Sequence, residues 1–167
     1  MSAVASYGSA VLDATRRYRY SLFRRWGGGS RIALWIMLNP STADHLTDDP
    51  TIRRCIGFSK RWGYDALSVV NLFPLRATRP QQLQMAKGDA RGGPENDIAI
   101  CDEAEHAALI VAAWGAHGSL WDRDVEVRRL LRAQGRTVHH IGLTQGGQPR
   151  HPLYLPGDVA PVIWLEL

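Results

Sequence analysis

The stretch Leu34-Trp35-Ile36-Met37-Leu38-Asn39-Pro40-Ser41-Thr42-Ala43-Asp44 decides the fold. Its first half is a short apolar run bounded by turn residues, a pattern that predicts a buried strand. Pro40 disfavours helical backbone at Asn39, so the polar residues leave the strand in an extended direction. Because ligands of open α/β sheets bind at the carboxyl ends of the strands, we expect this loop to form part of a functional site.

The same pattern, a buried strand followed by a polar or glycine-rich loop, recurs three times. The strand at 66–72 contains Asn71, and the strand at 109–114 leads into Gly115-Ala116-His117. The strand at 137–143 is followed by a glycine-rich loop and then by His151. The carboxyl ends of parallel strands meet at one edge of a sheet, so these loops are expected to converge.

Helical segments alternate with these strands. Asp48-Asp49 followed by Pro50 is a typical helix start and predicts a helix over 51–62, which Gly63 ends. Further helices are predicted at 81–85, 95–106 and 121–134. In the last of these, Val125, Leu130 and Leu131 are expected to face inward, with the arginines Arg123, Arg128, Arg129 and Arg132 mostly outward.

The alternation of strands and helices predicts an α/β protein with three layers, α/β/α, around a central, mostly parallel four-stranded sheet. Residues 18–26 and 31–38, joined by the turn at 27–30, predict an additional N-terminal antiparallel hairpin. Residues 162–165 are expected to add a terminal strand. No repeat or linker divides the chain, so residues 1–167 are expected to form a single domain.

Composition is that of a globular protein, with 45% apolar and 22% charged residues in 167. The formal charge of +4 comes almost entirely from arginine, which suits an anionic partner but equally follows from a genome that favours Arg codons. Two distant cysteines, Cys55 and Cys101, do not indicate a disulfide framework. With neither a signal peptide nor an 18-residue apolar run, we expect a cytoplasmic, monomeric protein without a membrane partner.

Common catalytic and cofactor motifs are absent. The chain lacks a Gly-x-Ser-x-Gly elbow, a Walker loop, a dinucleotide glycine fingerprint and a His-Glu-x-x-His pair. His139-His140 lies within an apolar strand, where one core and one exposed histidine are expected rather than a metal pair. We therefore expect neither a metal nor a cofactor, and each Asn at a strand end can also be a simple turn-former.

Several segments together resemble a bacterial and phage family of unknown function. They are 37–44, 49–55, 62–64, 71–73, 76–78, 114–115 and 151–154, and they span most of the chain. The chain also resembles, more distantly, the uracil-DNA glycosylase superfamily. The segment 38–41 is similar to that superfamily's Asn-Pro loop, although Met37 stands where a glycine is usual, and 69–71, 113–115 and 151–154 are similar to its later motifs.

The glycosylase resemblance implies a monofunctional hydrolase of DNA repair that flips a uracil or another damaged or modified base into a pocket and releases it. It implies catalytic roles for Asn39 and Asp44, which would orient or activate water, and for His151, which would donate to the base. The implied base-binding residues are Asn71, Phe73 and Ser41. The implied DNA-binding residues are Leu153, Tyr154, Arg76, Arg79 and Arg150.

Two other classes remain open at this point. One is a hydrolase or transferase that acts on a free nucleoside, nucleotide or modified base in the same pocket. The other is a non-catalytic nucleic-acid-binding module. The sequence leaves open which base is excised, whether single or double strands are preferred, and whether Asn39 or Asp44 acts on the water.

Overall fold

The computed structural model describes residues 6–164. In this part of the chain, seven strands form one sheet in the order β1-β2-β4-β3-β5-β6-β7. They are β1 (Tyr7–Leu12), β2 (Arg19–Arg25), β3 (Ile32–Met37), β4 (Ala66–Asn71), β5 (Leu109–Ala112), β6 (His139–His140) and β7 (Val162–Ile163). The four neighbours β4, β3, β5 and β6 are parallel, and the outer pairings β1–β2, β2–β4 and β6–β7 are antiparallel.

Helices cover both faces of this sheet. The α-helices are α1 (Pro50–Arg61), α2 (Pro80–Gln84), α3 (Pro94–His106) and α4 (Arg123–Ala133), and short 3₁₀ helices span Gly88–Arg91, Ala116–Asp122 and Pro152–Tyr154. Alternate strand residues point to opposite faces. Trp35 therefore packs with Phe58 of α1, whereas Leu34 packs with Ile100 of α3 and Leu131 of α4.

The predicted α/β class is confirmed, but the sheet has seven strands in the described residues rather than four, and its six pairings are split evenly between parallel and antiparallel. The prediction for α1 is confirmed in detail. The Asp49 side chain accepts the Ile52 N–H at 2.9 Å as N-cap, Pro50 is the first helical residue, and Gly63 follows the helix with φ = 84°. The terminal strand is confirmed at Val162–Ile163, while Leu165 lies outside the described residues.

The predicted hairpin between residues 18–26 and 31–38 is wrong. β2 pairs with β1 on one side and with β4 on the other, so β4 separates β2 from β3. The glycine-rich turn does not return the chain onto its own neighbour because it packs on Asp65, at the start of β4. A Cβ on Gly27 or Gly29 would lie about 2.5 Å or less from an Asp65 carboxylate oxygen.

The predicted inward face of α4 is partly wrong. Leu131 is buried as expected, but Val125 is 47% exposed and Arg123 is only 1% exposed. Arg123 is buried because it donates to the Leu72 carbonyl and forms ion pairs with Asp97 and Glu126. None of the helices among residues 6–164 is long and apolar enough to cross a membrane.

Candidate active site

A cavity of about 390 Å³ lies at the carboxyl ends of β3, β4 and β5, on the face covered by α1. Met37 and Asn71 are register partners at the ends of β3 and β4, and both line it. The N-terminus of α1, the loop after β5 and the 3₁₀ turn that follows His151 close the other sides. The residues around the cavity are Arg19, Met37, Leu38, Asn39, Ser41, Asp49, Thr51, Ile52, Val69, Asn71, Ala77, Thr78, Trp114, Gly115, Ala116, His117, His151 and Leu153.

Asn71 lines this cavity in an unusual state. Its side chain is fully buried, yet neither Oδ1 nor Nδ2 has a hydrogen-bond partner among the described residues. Leaving a buried amide unpaired costs about 1–3 kcal/mol per group, so such a residue needs a reason. Because Asn71 lines a cavity, a ligand that pairs with both its acceptor and its donor would supply that reason.

The two polar atoms of the Asn39 side chain differ in their hydrogen bonding. Its Nδ2 donates to the Ala77 carbonyl at 2.8 Å and to the Pro40 carbonyl at 3.0 Å. Both amide hydrogens are thus used to hold the loop 39–41 against residue 77. Asn39 lines the cavity, and its Oδ1 accepts no hydrogen bond from the described residues, so this atom is available to accept the hydrogen of a water or of a ligand.

His151 is partly buried at the rim of the cavity. Its Nδ1 accepts the Leu153 N–H at 3.2 Å, which caps the short helix Pro152–Tyr154. Burial lowers the pKa of His151, and the nearby Asp49 carboxylate opposes this only in part. The neutral ring that accepts at Nδ1 carries its proton on Nε2, so His151 is a hydrogen-bond donor at Nε2.

Asp44 does not reach the cavity, and its predicted role beside Asn39 is wrong. Its Oδ1 accepts the Leu46 and Thr47 N–H groups at 2.9 Å each, which closes a local turn. These two donors lower the pKa of the Asp44 carboxyl. The residue is a turn-former, a role that Asp side chains commonly take.

Phe73 is also misplaced by the sequence prediction. Its side chain is fully buried in the cluster between the sheet and helices α3 and α4, together with Leu34 and Ile100. Asn71 points to the opposite face, towards α1. Phe73 is therefore a core residue and cannot stack on a ligand in the cavity.

Of the remaining predicted residues, two line the cavity and the others do not. Ser41 and Leu153 line the cavity, and Tyr154 is 90% exposed on the turn next to it. Arg76 binds carbonyl groups of the loop that carries Ser41, Arg150 donates to the Leu143 carbonyl, and Arg79 is exposed just before α2.

Two charged residues of the cavity were missed. Arg19 is 2% exposed, and its Nη1 donates to the Ala43 carbonyl at 2.9 Å, while its Nε has no partner in the part of the chain that the structure describes. Burial lowers the pKa of Arg19 to about 10, with Asp49 opposing the shift. Asp49 also lines the cavity, but no ion pair joins it to Arg19 within the described residues.

A sequence signal existed for Asp49 and not for Arg19. An N-cap residue that directly follows a strand-end loop lies at the same edge of the sheet as that loop, so Asp49 could have been placed. Arg19 belongs to a segment of alternating basic and aromatic residues that is typical of an exposed edge strand. Only the antiparallel pairing of β2 with β4 brings it to the cavity.

Helix α1 also fixes the turn that carries His151. Arg54 donates through Nε to the Pro152 carbonyl at 3.2 Å and through Nη2 to the Leu155 carbonyl. The guanidinium stacks over Phe58, with its carbon 4.8 Å from the ring centre. Arg54 is therefore a positioning residue, since it holds both ends of the short helix that begins after His151.

The loop after β5 is held by hydrogen bonds to the loop after β6, which in turn bonds to α4. The Trp114 Nε1 donates to Gln148 at 2.7 Å, and Gln148 donates in turn to Asp124 of α4. Gly115 has φ = 78° and donates to the Pro149 carbonyl, so the loops after β5 and β6 are joined beside His151. No group of three or more His, Cys, Asp or Glu side chains in residues 6–164 is arranged to hold a metal ion.

Comparison with known proteins gives a family but no activity. No curated protein and no solved structure matches the chain. A family model matches residues 19–153, and this range contains every residue that lines the cavity. The chain therefore belongs to the family described as Protein of unknown function (DUF1643).

Proposed function

We propose that the protein is a DNA glycosylase that hydrolyses the N-glycosidic bond of uracil or another modified base in DNA. The observation that carries this proposal is the fully buried, unpaired amide of Asn71 in a cavity that it shares with Asn39 and His151. The cavity volume lies within the range of small-molecule sites, about 300–1,000 Å³. A flipped base is a planar ligand whose amide-like edge matches that of Asn71.

Recognition falls to Asn71. Its Nδ2 donates to a ring carbonyl, and its Oδ1 accepts from the adjacent ring N–H. A site built around an unpaired amide discriminates strongly, because a base with the opposite donor and acceptor order leaves the buried groups unpaired. Ser41 lines the same cavity and adds a hydroxyl that can donate or accept.

His151 stabilises the leaving base. As the bond between C1′ of the sugar and the base nitrogen breaks, its electron pair moves onto the base, and negative charge builds on the ring carbonyl oxygen. The Nε2–H of neutral His151 donates to that oxygen. A preorganised donor of this kind contributes about 3 kcal/mol to the transition state.

The water is placed by Asn39 and activated by Asp49. The free Oδ1 of Asn39 accepts one hydrogen of the water, whose oxygen attacks C1′. Asp49, whose Oδ1 is held by the Ile52 N–H, takes the proton, and its negative charge also stabilises the cationic sugar. The departing base takes up a proton from solvent, so the products are a neutral base and an abasic site.

The arrangement of the motifs supports the likeness to the uracil-DNA glycosylase superfamily. The Asn-Pro loop, Asn71, Trp114-Gly115 and the segment that begins at His151 all border one cavity. The four adjacent parallel strands β4, β3, β5 and β6 resemble the four-stranded parallel sheet of those enzymes. Tyr154 lies exposed beside the cavity, where a wedge that fills the space of a flipped base would stand.

The test is incubation of the pure protein with oligonucleotides that contain one uracil, hypoxanthine, xanthine or alkylated base, in single and double strands. We expect one of these bases to be released and to leave an alkali-labile abasic site. His151→Ala should lower the rate about 100-fold or more, as the loss of an oxyanion donor does. His106→Ala, an exposed residue at the end of α3, is the matched control and should retain full activity.

The proposal is contradicted if no base is released from any oligonucleotide of the panel. If free deoxyuridine, added as a separate substrate, is then cleaved, the same cavity serves a nucleoside hydrolase.

A further inference from the structure

A basic furrow opens directly from the cavity. Its walls carry Arg16, Arg17 and Arg76, with Ser41, Thr42, Leu75, Ala77, Thr78 and Gln82, and its volume is about 540 Å³. Ser41, Ala77 and Thr78 line both the furrow and the cavity. A chain molecule lying in the furrow would therefore have one of its units at the mouth of the cavity.

Arg76 holds the furrow in shape. Its backbone N–H donates to the Arg17 carbonyl at 2.8 Å, and its Nη1 donates to the Arg16 carbonyl at 3.3 Å. Its Nε and Nη2 donate to the Ser41 and Thr42 carbonyls, also at 3.3 Å. One side chain thus joins the turn between β1 and β2 to the loop of the cavity.

The residues that line the furrow carry net positive charge, although the Asp44 carboxylate lies close enough to Arg16 to interact with it. None of its lining residues is acidic, and none of Arg16, Arg17 and Arg76 forms an ion pair within residues 6–164. Asp13, in the same turn, uses its carboxylate on Thr15 and on the Tyr18 N–H. A second hollow of about 580 Å³ shares Arg17 and Arg76, continues to Lys87 and likewise has no acidic lining residue.

We propose that the furrow binds the sugar–phosphate backbone of one nucleic acid strand, and that the nucleotide entering the cavity belongs to this strand. Guanidinium groups match phosphate oxygens in geometry and charge. An acidic peptide or a lipid surface would present anions as well. Neither carries, beside each anion, a planar ring that could leave the chain, enter the cavity and pair with Asn71.

This inference rests on the proposed function for the nature of the unit in the cavity, but it can be tested without base release. The side chains of Arg16 and Arg17 are exposed and make no hydrogen bond to the rest of the described chain, so Arg16→Ala/Arg17→Ala leaves the fold in place. Arg76 is spared because it holds the turn. Arg61→Ala/Arg129→Ala removes the same charge from two exposed residues, one at the far end of α1 and one on α4.

The experiment measures the affinity of each protein for a fluorescent oligodeoxythymidylate by anisotropy at several salt concentrations. Each single-strand phosphate contact contributes about 0.7 to the slope of log K against log salt. We expect Arg16→Ala/Arg17→Ala to reduce that slope by about 1.4 and to weaken binding at least tenfold at low salt. Arg61→Ala/Arg129→Ala should keep the wild-type slope and affinity.

Two results of the binding experiment would overturn the inference. One is an equal loss in both double variants, which would make net charge the cause. The other is competition by polyglutamate as strong as that by unlabelled oligonucleotide at equal charge. Furrow-dependent binding without release of any modified base would contradict the proposed function and not the furrow. Base release at the wild-type rate by Arg16→Ala/Arg17→Ala would contradict the furrow and not the proposed function.

Discussion

Two buried arginines lie on opposite sides of the carboxyl end of β4, and their surroundings differ sharply. Arg123, on the side of α3 and α4, is 1% exposed and satisfies all three nitrogens, on Leu72, Asp97 and Glu126. Arg19, on the side of the cavity, is 2% exposed, and its guanidinium makes one hydrogen bond within residues 6–164, to the Ala43 carbonyl. The two guanidinium groups are thus almost equally buried but differ in how many of their nitrogens have a hydrogen-bond partner.

Two buried asparagines show a weaker form of this contrast. Asn96 of α3 donates to the Asn71 and Leu72 carbonyls at 2.9 and 3.1 Å and leaves only its Oδ1 unpaired, whereas neither polar atom of the Asn71 side chain has a partner within residues 6–164. The paired groups fix the end of β4 from one face. The unpaired groups on the other face weaken the free protein, as functional sites do when they exchange stability for binding. The difference separates a supporting cluster from a binding site.

The largest effect is expected from Arg123→Met. The change removes a donor to the Leu72 carbonyl and the partner of Asp97 and Glu126, whose carboxylates are 28% and 51% exposed. The loss of these charge-assisted hydrogen bonds costs about 3 kcal/mol in total. Arg19→Met removes an ill-paired buried cation, so the lost bond to Ala43 is offset by the relief of desolvation. We expect it to change the free energy of unfolding by no more than about 1 kcal/mol.

Urea unfolding monitored by circular dichroism measures both changes. The comparison between the two arginines fails if Arg19→Met destabilises the protein as much as Arg123→Met. Wild-type stability in Arg123→Met would equally contradict the supporting role of Arg123.

The second effect is expected from the asparagine pair. Asn96→Leu deletes two buried hydrogen bonds and should cost about 2 kcal/mol. Asn71→Leu replaces an unpaired amide by an apolar group of similar shape, so stability should stay the same or rise by about 1 kcal/mol. The same variant should lose base release about 100-fold or more, because a ligand edge would face an apolar side chain.

Unfolding free energies and release rates for both variants decide this prediction. A strongly destabilised Asn71→Leu would mean that the amide has a structural partner after all. A stable Asn71→Leu with full activity would remove Asn71 from the site.

Local patterns predicted the parts of the fold that local physics determines. The apolar runs of β3, β4 and β5 and the cap of α1 at Asp49 depend on residues close in sequence, and they were found. The position of β2 beside β4 depends on a pairing across more than 40 residues and on Gly27 and Gly29 packing against Asp65. A glycine-rich turn alone cannot distinguish that arrangement from a hairpin.

Only some residues of the cavity could likewise be predicted from the sequence. Asn39, Asn71 and His151 follow strands, so their common edge could be inferred from the sheet alone. Asp44 and Phe73 were wrong because a residue near a strand end can turn its side chain into its own loop or to the other face. Arg19 and Arg123 could not be assigned, because only tertiary packing decides which arginine of an amphipathic segment is buried and which partners it finds.

The smallest effect on the free energy of unfolding is expected from a change in pH, which acts through His151 of the cavity. Burial lowers the pKa of His151 below its ordinary value of 6.5, so the unfolded chain binds the proton more tightly than the native one. Stability contributed by neutral His151 is therefore complete above pH 6.5 and is lost as the pH falls through the lowered native value.

His151→Asn keeps an acceptor for the Leu153 N–H without this titration. The difference in unfolding free energy between wild type and His151→Asn, measured from pH 8 to pH 5, should shift against the wild type at low pH. His140, whose pKa burial also lowers, is present in both proteins and cancels. If the difference in unfolding free energy stays constant with pH, protonation of His151 does not change the stability of the protein. The bond from the Leu153 N–H to Nδ1 would then contribute nothing that protonation removes.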